Sequence, residues 1–142
     1  MKRILAIVTV ILMVFAGCES GNIVGGRYFG TFHNTTNGMR EYGDMSLKFS
    51  NLDDNTYMML NNTVSMTQIS ANKYNGTAEG ALLRDLLKTM PAIDSIQVCD
   101  PAETIVSMVA DAEFKGNSMK TDMTFTTSTE RIVLVEFIGN FE

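Results

Sequence analysis

Histidine occurs once in the chain, at His33, and cysteine twice, at Cys18 and Cys99. A zinc site needs three or four ligands at suitable spacing, and these scattered donors form no such cluster. A cysteine–histidine pair of Cys99 with His33 is conceivable on composition, but no local motif surrounds either residue, and a lone histidine at a strand end is ordinarily solvated. There is also no Gly-rich phosphate loop and no nucleophile motif. Basic residues are the minority, 11 against 16 acidic ones. Nucleic-acid binding rewards basic patches, so that partner class is excluded. These absences predict a protein that is not an enzyme and that holds no cofactor or metal.

Long apolar runs are equally scarce, the exception being Ile4 to Phe15, broken only by Thr9 and preceded by Lys2 and Arg3. This is a signal-peptide layout, and the run falls well short of the roughly 20 apolar residues that a membrane-spanning helix requires. It leads into Phe15-Ala16-Gly17-Cys18, which resembles the lipobox of bacterial lipoproteins, with Phe15 where leucine is usual. The resemblance implies cleavage before Cys18 and lipidation of that cysteine. Cys99 is then left alone, without an intramolecular disulfide partner. Stable anchoring takes more than one acyl chain, which the implied lipid supplies. The alternative is an ordinary secretory signal that leaves Cys18 and Cys99 to pair. Loss of Lys2 and Arg3 with the signal leaves 9 basic residues against 16 acidic, a charge near −7. That balance favours solubility and weak non-specific association.

The mature chain fits one domain. Residues 1–17 read as the signal peptide, 18–25 as the lipidated cysteine with a small, polar tether, and 26–142 as the domain. Period-two alternation runs through it, the mark of half-buried strands. Met45, Leu47 and Phe49 oppose Ser46, Lys48 and Ser50; Asn51 to Asn55 reads as a turn, and Tyr57 to Leu60 as the returning strand. Ile105 to Lys115, with Val106, Met108, Ala110, Ala112 and Phe114 sharing a face, joins Met119 to Phe125 through Gly116-Asn117, a pair suited to a two-residue type II′ turn. Further strands are expected at Gly26–His33, Val64–Ile69, Lys73–Glu79 and Ile132–Ile138, with a weaker candidate at Ile93–Cys99. Leu82, Leu83, Leu86, Leu87 and Met90 instead follow helical spacing and stop at Pro91. The expectation is therefore an all-β fold, an antiparallel up-and-down barrel of about eight strands with one short helix, with a two-sheet sandwich as the alternative.

Gly26-Arg27-Tyr28-Phe29-Gly30-Thr31, the Asp54-Asn55-Thr56 turn, Lys73-Tyr74-Asn75-Gly76 and Phe137-Ile138-Gly139 follow one another in an order similar to the calycin-like, or lipocalin-like, domains of small Gram-negative lipoproteins. True lipocalins carry Gly-x-Trp on the first strand; here Tyr28 takes that place in a chain without tryptophan. The resemblance implies an up-and-down barrel on a lipid anchor, in the cell envelope and at the outer membrane.

Nine methionines remain after Met1 and Met13 are removed. Their unbranched side chains adapt to irregular shapes, which makes Met45, Met66, Met108, Met119 and Met123 candidates to line a lumen together with Tyr28, Phe49, Phe114 and Phe125. Plain core filling is the competing reading. Asp53-Asp54-Asn55 and Asp111 with Glu113 lack the dense oxygen spacing of a calcium loop and read as turn chemistry and a solvated strand face. Asn34-Thr35-Thr36, Asn61-Asn62-Thr63 and Asn75-Gly76-Thr77 match N-glycosylation acceptors but read as Asn/Thr turns; Asp94-Ser95-Ile96 matches a bacterial O-glycosylation triplet. Two functions follow. One is a barrel receiving a small apolar or amphipathic ligand. The other is a filled barrel docking to an envelope protein, with the Leu82–Met90 helix as a candidate face.

Overall fold

The structure is a computed structural model, which describes residues 24–36, 40–60, 62–81, 83–85, 98–100 and 102–142. The strands are β1 (Gly26–Asn34), β2 (Arg40–Asp53), β3 (Thr56–Met59), β4 (Val64–Ser70), β5 (Lys73–Glu79), β6 (Ile105–Lys115), β7 (Ser118–Thr127) and β8 (Ile132–Phe141). Each pairs antiparallel with its predecessor, and β1 pairs with β8 from Tyr28↔Phe141 to Asn34↔Val135. The sheet is thus a closed eight-stranded barrel with no free edge, and the sandwich is excluded.

Alternation produces the closure. On β7 the buried Met119, Thr121, Met123 and Phe125 point inward between Lys120, Asp122 and Thr124, and on β8 Val133, Val135 and Phe137 do the same. Apolar side chains fill the inside, while the outer wall mixes lysines and carboxylates with exposed Phe29, Val109, Leu134 and Ile138. Gly116 has φ of 60°, as the first position of the expected type II′ turn demands.

Two expectations need correction. Val106 does not share the inward face of Met108 and Ala110; it is exposed and Ile105 is buried instead, because a bulge between Ile105 and Ser107 shifts the alternation by one residue. The Asn51–Asn55 turn is shorter than expected: Asn51 to Asp53 belong to β2, whose ladder with β3 continues past a bulge at Leu52, and only Asp54-Asn55 turn. Of the Ile93–Cys99 candidate only Val98 and Cys99 are described, in a bend. A helical turn occupies 81 and 83–85; Leu82, Leu86, Leu87 and Met90 lie outside the described residues, as do the signal peptide, Cys18 and Asp94-Ser95-Ile96.

The barrel has two unlike ends. The hairpin end holds the turns at 54–55, 71–72 and 116–117 together with Gly26 and Phe141. The cap end holds the turn residues 62–63, the β7–β8 turn and the described residues between β5 and β6, 80–81, 83–85, 98–100 and 102–104.

Candidate functional site

Of the nine lumen candidates, Tyr28, Phe49, Met66, Met108, Phe114, Met119, Met123 and Phe125 are buried in one core cluster, and Met45 packs against it half-buried. At the hairpin end the cluster is aromatic. Phe114 meets Tyr28, Phe49 and Tyr74 with ring centroids 5.5, 5.0 and 5.6 Å apart, and Phe49 stacks on Tyr57 at 4.8 Å. Offset and edge-on rings at these separations attract one another beyond their area burial. Tyr28 and Tyr74 are therefore part of the packing. The Tyr28 hydroxyl donates to the Val24 carbonyl at 3.0 Å, and burial, then the neighbouring Tyr57 and Tyr74, push its pKa up to about 12. Burial, followed by Tyr57, also raises Tyr74.

Small residues set how tightly the interior closes. A methyl placed on Gly76 would lie 2.4 Å from the Ser65 carbonyl oxygen and 2.5 Å from the Met66 sulfur; one on Gly139 would lie 2.6 Å from the Phe137 ring. Both glycines face inward, so the neighbouring chains already occupy the space a side chain would need. Among the described residues three polar side chains, Asn34, Thr121 and Thr127, are also buried. The Thr121 hydroxyl, on the inward face of β7, is buried without a hydrogen-bond partner in the protein.

The cap end closes differently. Leu83 and Val98, from the β5–β6 connection, are fully buried in the same cluster as the barrel side chains. Leu83 is thus turned into the core and does not present an apolar docking face. Behind Val98, Glu103 ties the connection to the β7–β8 turn. It accepts from Thr127 Oγ1 (3.0 Å), Thr129 Oγ1, Arg131 Nε (3.3 Å) and Nη2, and the Asp100 N–H (3.0 Å). Arg131 Nη2 also donates to the Val98 carbonyl at 3.4 Å. The Arg131 guanidinium, then Thr129 and the Asp100 N–H, hold the Glu103 carboxyl well below the usual carboxylate range. Cys99 sits half-buried beside this latch; burial, then Glu103, raise its thiol pKa, which makes it a poor nucleophile at neutral pH. His33 stands on β1 opposite Glu136 and Glu41.

Sequence reasoning missed Glu103 and Arg131, which lie 28 positions apart with no motif around either. The carboxylates it did single out are engaged locally. Asn75 Nδ2 donates to Asp111 at 2.7 Å, Lys73 lies 3.7 Å from Glu113, and Asp53 accepts the Asn55 N–H at 3.2 Å. A groove of about 300 Å³ runs past Ile69, Lys73, Asp111, Glu113, Lys120 and Asp122, with its lysines already paired to carboxylates. Among the described residues no three His, Cys, Asp or Glu side chains stand together as metal ligands, and no helix is long and apolar enough to cross a membrane.

No protein-family model matches the chain, and no curated protein or solved structure matches it either.

Proposed function

We propose that this chain is a lipid-anchored envelope protein of a Gram-negative bacterium, cut before Cys18, whose barrel serves as a filled, rigid head acting through its outer surface on an envelope partner. The single observation behind the filled-head role is the interior, where rings pack at about 5 Å and inward glycines leave no room for a methyl. A carrier of small apolar molecules needs a cavity of hundreds of cubic ångströms in its mouth or lumen. The anchor rests on the Lys2-Arg3 pair, the short apolar run and the Phe15-Ala16-Gly17-Cys18 sequence. A surface role has apolar material available: Val109, Ile132 and Leu134 are exposed on the outer wall, with Val109 and Leu134 flanking Thr124 in one cross-strand row.

A second reading, the ligand-binding barrel of calycin-like type, is favoured by one observation, the Thr121 hydroxyl buried inside without a protein partner. Native mass spectrometry of the protein extracted gently from its membrane separates the two. Clean acylated protein supports the filled head. A reproducible small-molecule adduct lost on denaturation replaces it with the carrier, and a mass without acyl chains removes the anchor.

A further inference from the structure

The two most exposed large apolar side chains among the described residues are Leu52, at 61%, and Ile69, at 63%. Neither is an incidental surface residue. Each is the extra residue of a β-bulge: Leu52 lies between Asn51↔Tyr57 and Asp53↔Thr56, and Ile69 between Gln68↔Tyr74 and Ser70↔Lys73. A bulge takes a residue out of the ladder and re-aims its side chain. Both bulges adjoin turns of the hairpin end, on hairpins that are neighbours through the β3–β4 pairing and through the Gln68 N–H donating to the Asn55 carbonyl at 2.9 Å. Phe141, 38% exposed, ends β8 at the same end.

The chain enters the barrel there as well. Val24 and Gly25 lead into β1 beside Tyr57 and Phe49. From Cys18 to Val24 is six residues of chain, which span at most about 22 Å when fully extended. A lipid on Cys18 therefore holds this end, and not the cap end, close to the bilayer. The mature chain is acidic as a whole, yet around these turns Arg27, Lys48, Lys73, Lys115 and Lys120 stand with Asp53, Asp54, Glu113 and Glu142, so the charges at this end do not sum to a net negative surface facing anionic headgroups.

We propose that Leu52, Ile69 and Phe141 form an apolar foot that seats the hairpin end in the interfacial layer of the bilayer, so that the barrel stands on the membrane and does not hang free on its tether. The proposal rests on the lipid-anchor reading. Large apolar side chains at an interface bury about 5 to 10 Å into the headgroup–acyl boundary and add affinity in proportion to their area.

The absence of tryptophan provides the test. Ile69→Trp, Leu52→Trp and, as a control on the barrel wall, Val109→Trp are each made in the full chain, purified from membranes and reconstituted into phosphatidylethanolamine–phosphatidylglycerol vesicles with and without brominated acyl chains. Acylation of Cys18 is checked by mass. The expected result is a blue-shifted emission for Ile69→Trp and Leu52→Trp that loses roughly half or more of its intensity in brominated vesicles, the depth an interfacial residue reaches, with Val109→Trp unchanged. Acylated protein whose Ile69→Trp and Leu52→Trp signals are the same in both vesicles overturns the foot alone. A blue shift without quenching, as a second copy of the chain covering these residues would give, also overturns it. A chain without acyl mass overturns the anchor and the foot with it.

Discussion

The two ends of the barrel reach the same degree of burial by opposite means. At the hairpin end, strand residues do the work: Tyr28, Phe49, Tyr74 and Phe114 pack ring against ring, each carried by a strand that is hydrogen-bonded on both sides. At the cap end, Leu83 and Val98 come from outside the sheet and are held by a polar latch, Glu103 with Thr127, Thr129 and Arg131. Closure by the sheet is part of the cooperative unit. Closure by a connection is a separate piece of structure that can open without unravelling the ladder.

The largest effect is expected from Phe114→Ala, since Phe114 is fully buried and meets three other rings; unfolding in urea should show a loss of about 3 to 5 kcal/mol in one transition. Leu83→Ala should lose about 3 kcal/mol or less, and hydrogen exchange should show it loosening the cap end while β6–β8 amides stay protected. Equal exchange across the barrel would erase the distinction between the ends. Glu103→Gln sharpens it through pH. Folding lowers the Glu103 pKa from its ordinary 4.5, so its contribution is present above that pH and is lost as pH falls toward the folded value. The urea midpoint of Glu103→Gln should lie below that of the parent at pH 7 and approach it at pH 3. The smallest change is a gain: Thr121→Val removes a buried hydroxyl that finds no protein partner and should stabilise by about 1 kcal/mol. A loss at Thr121→Val would mean that a water or a ligand satisfies the hydroxyl inside the barrel.

The ends also differ in how far the sequence revealed them. Lys73–Glu79 and Ile105–Lys115 are strands with the boundaries that alternation indicates, and Gly116-Asn117 turns as its chemistry requires. Period two works along Lys73–Glu79 and from Met108 to Lys115 because one face is buried and the other solvated there. It fails where the ladder slips, as at Val106 and Leu52, since a bulge leaves no mark in composition. Arg40 to Gly43 carry little alternation and become strand only because β1 offers them a ladder. The inward candidates were readable one strand at a time, and all nine enter or touch the core. Whether they surround space was not readable, because that depends on how eight strands are staggered. The latch was invisible for a related reason: Glu103 and Arg131 meet only once β6, β7 and β8 are side by side.

The β1–β8 seam has a consequence for how the molecule is made. β1 leaves the ribosome first, yet its second neighbour is the last strand described, joined to it from Tyr28↔Phe141 to Asn34↔Val135. Until β8 is delivered, both β1 and β7 present raw edges, the surfaces along which unfinished sheets stick to one another. Such long-range pairing also slows folding. The barrel therefore stays open until its last described strand pairs with its first.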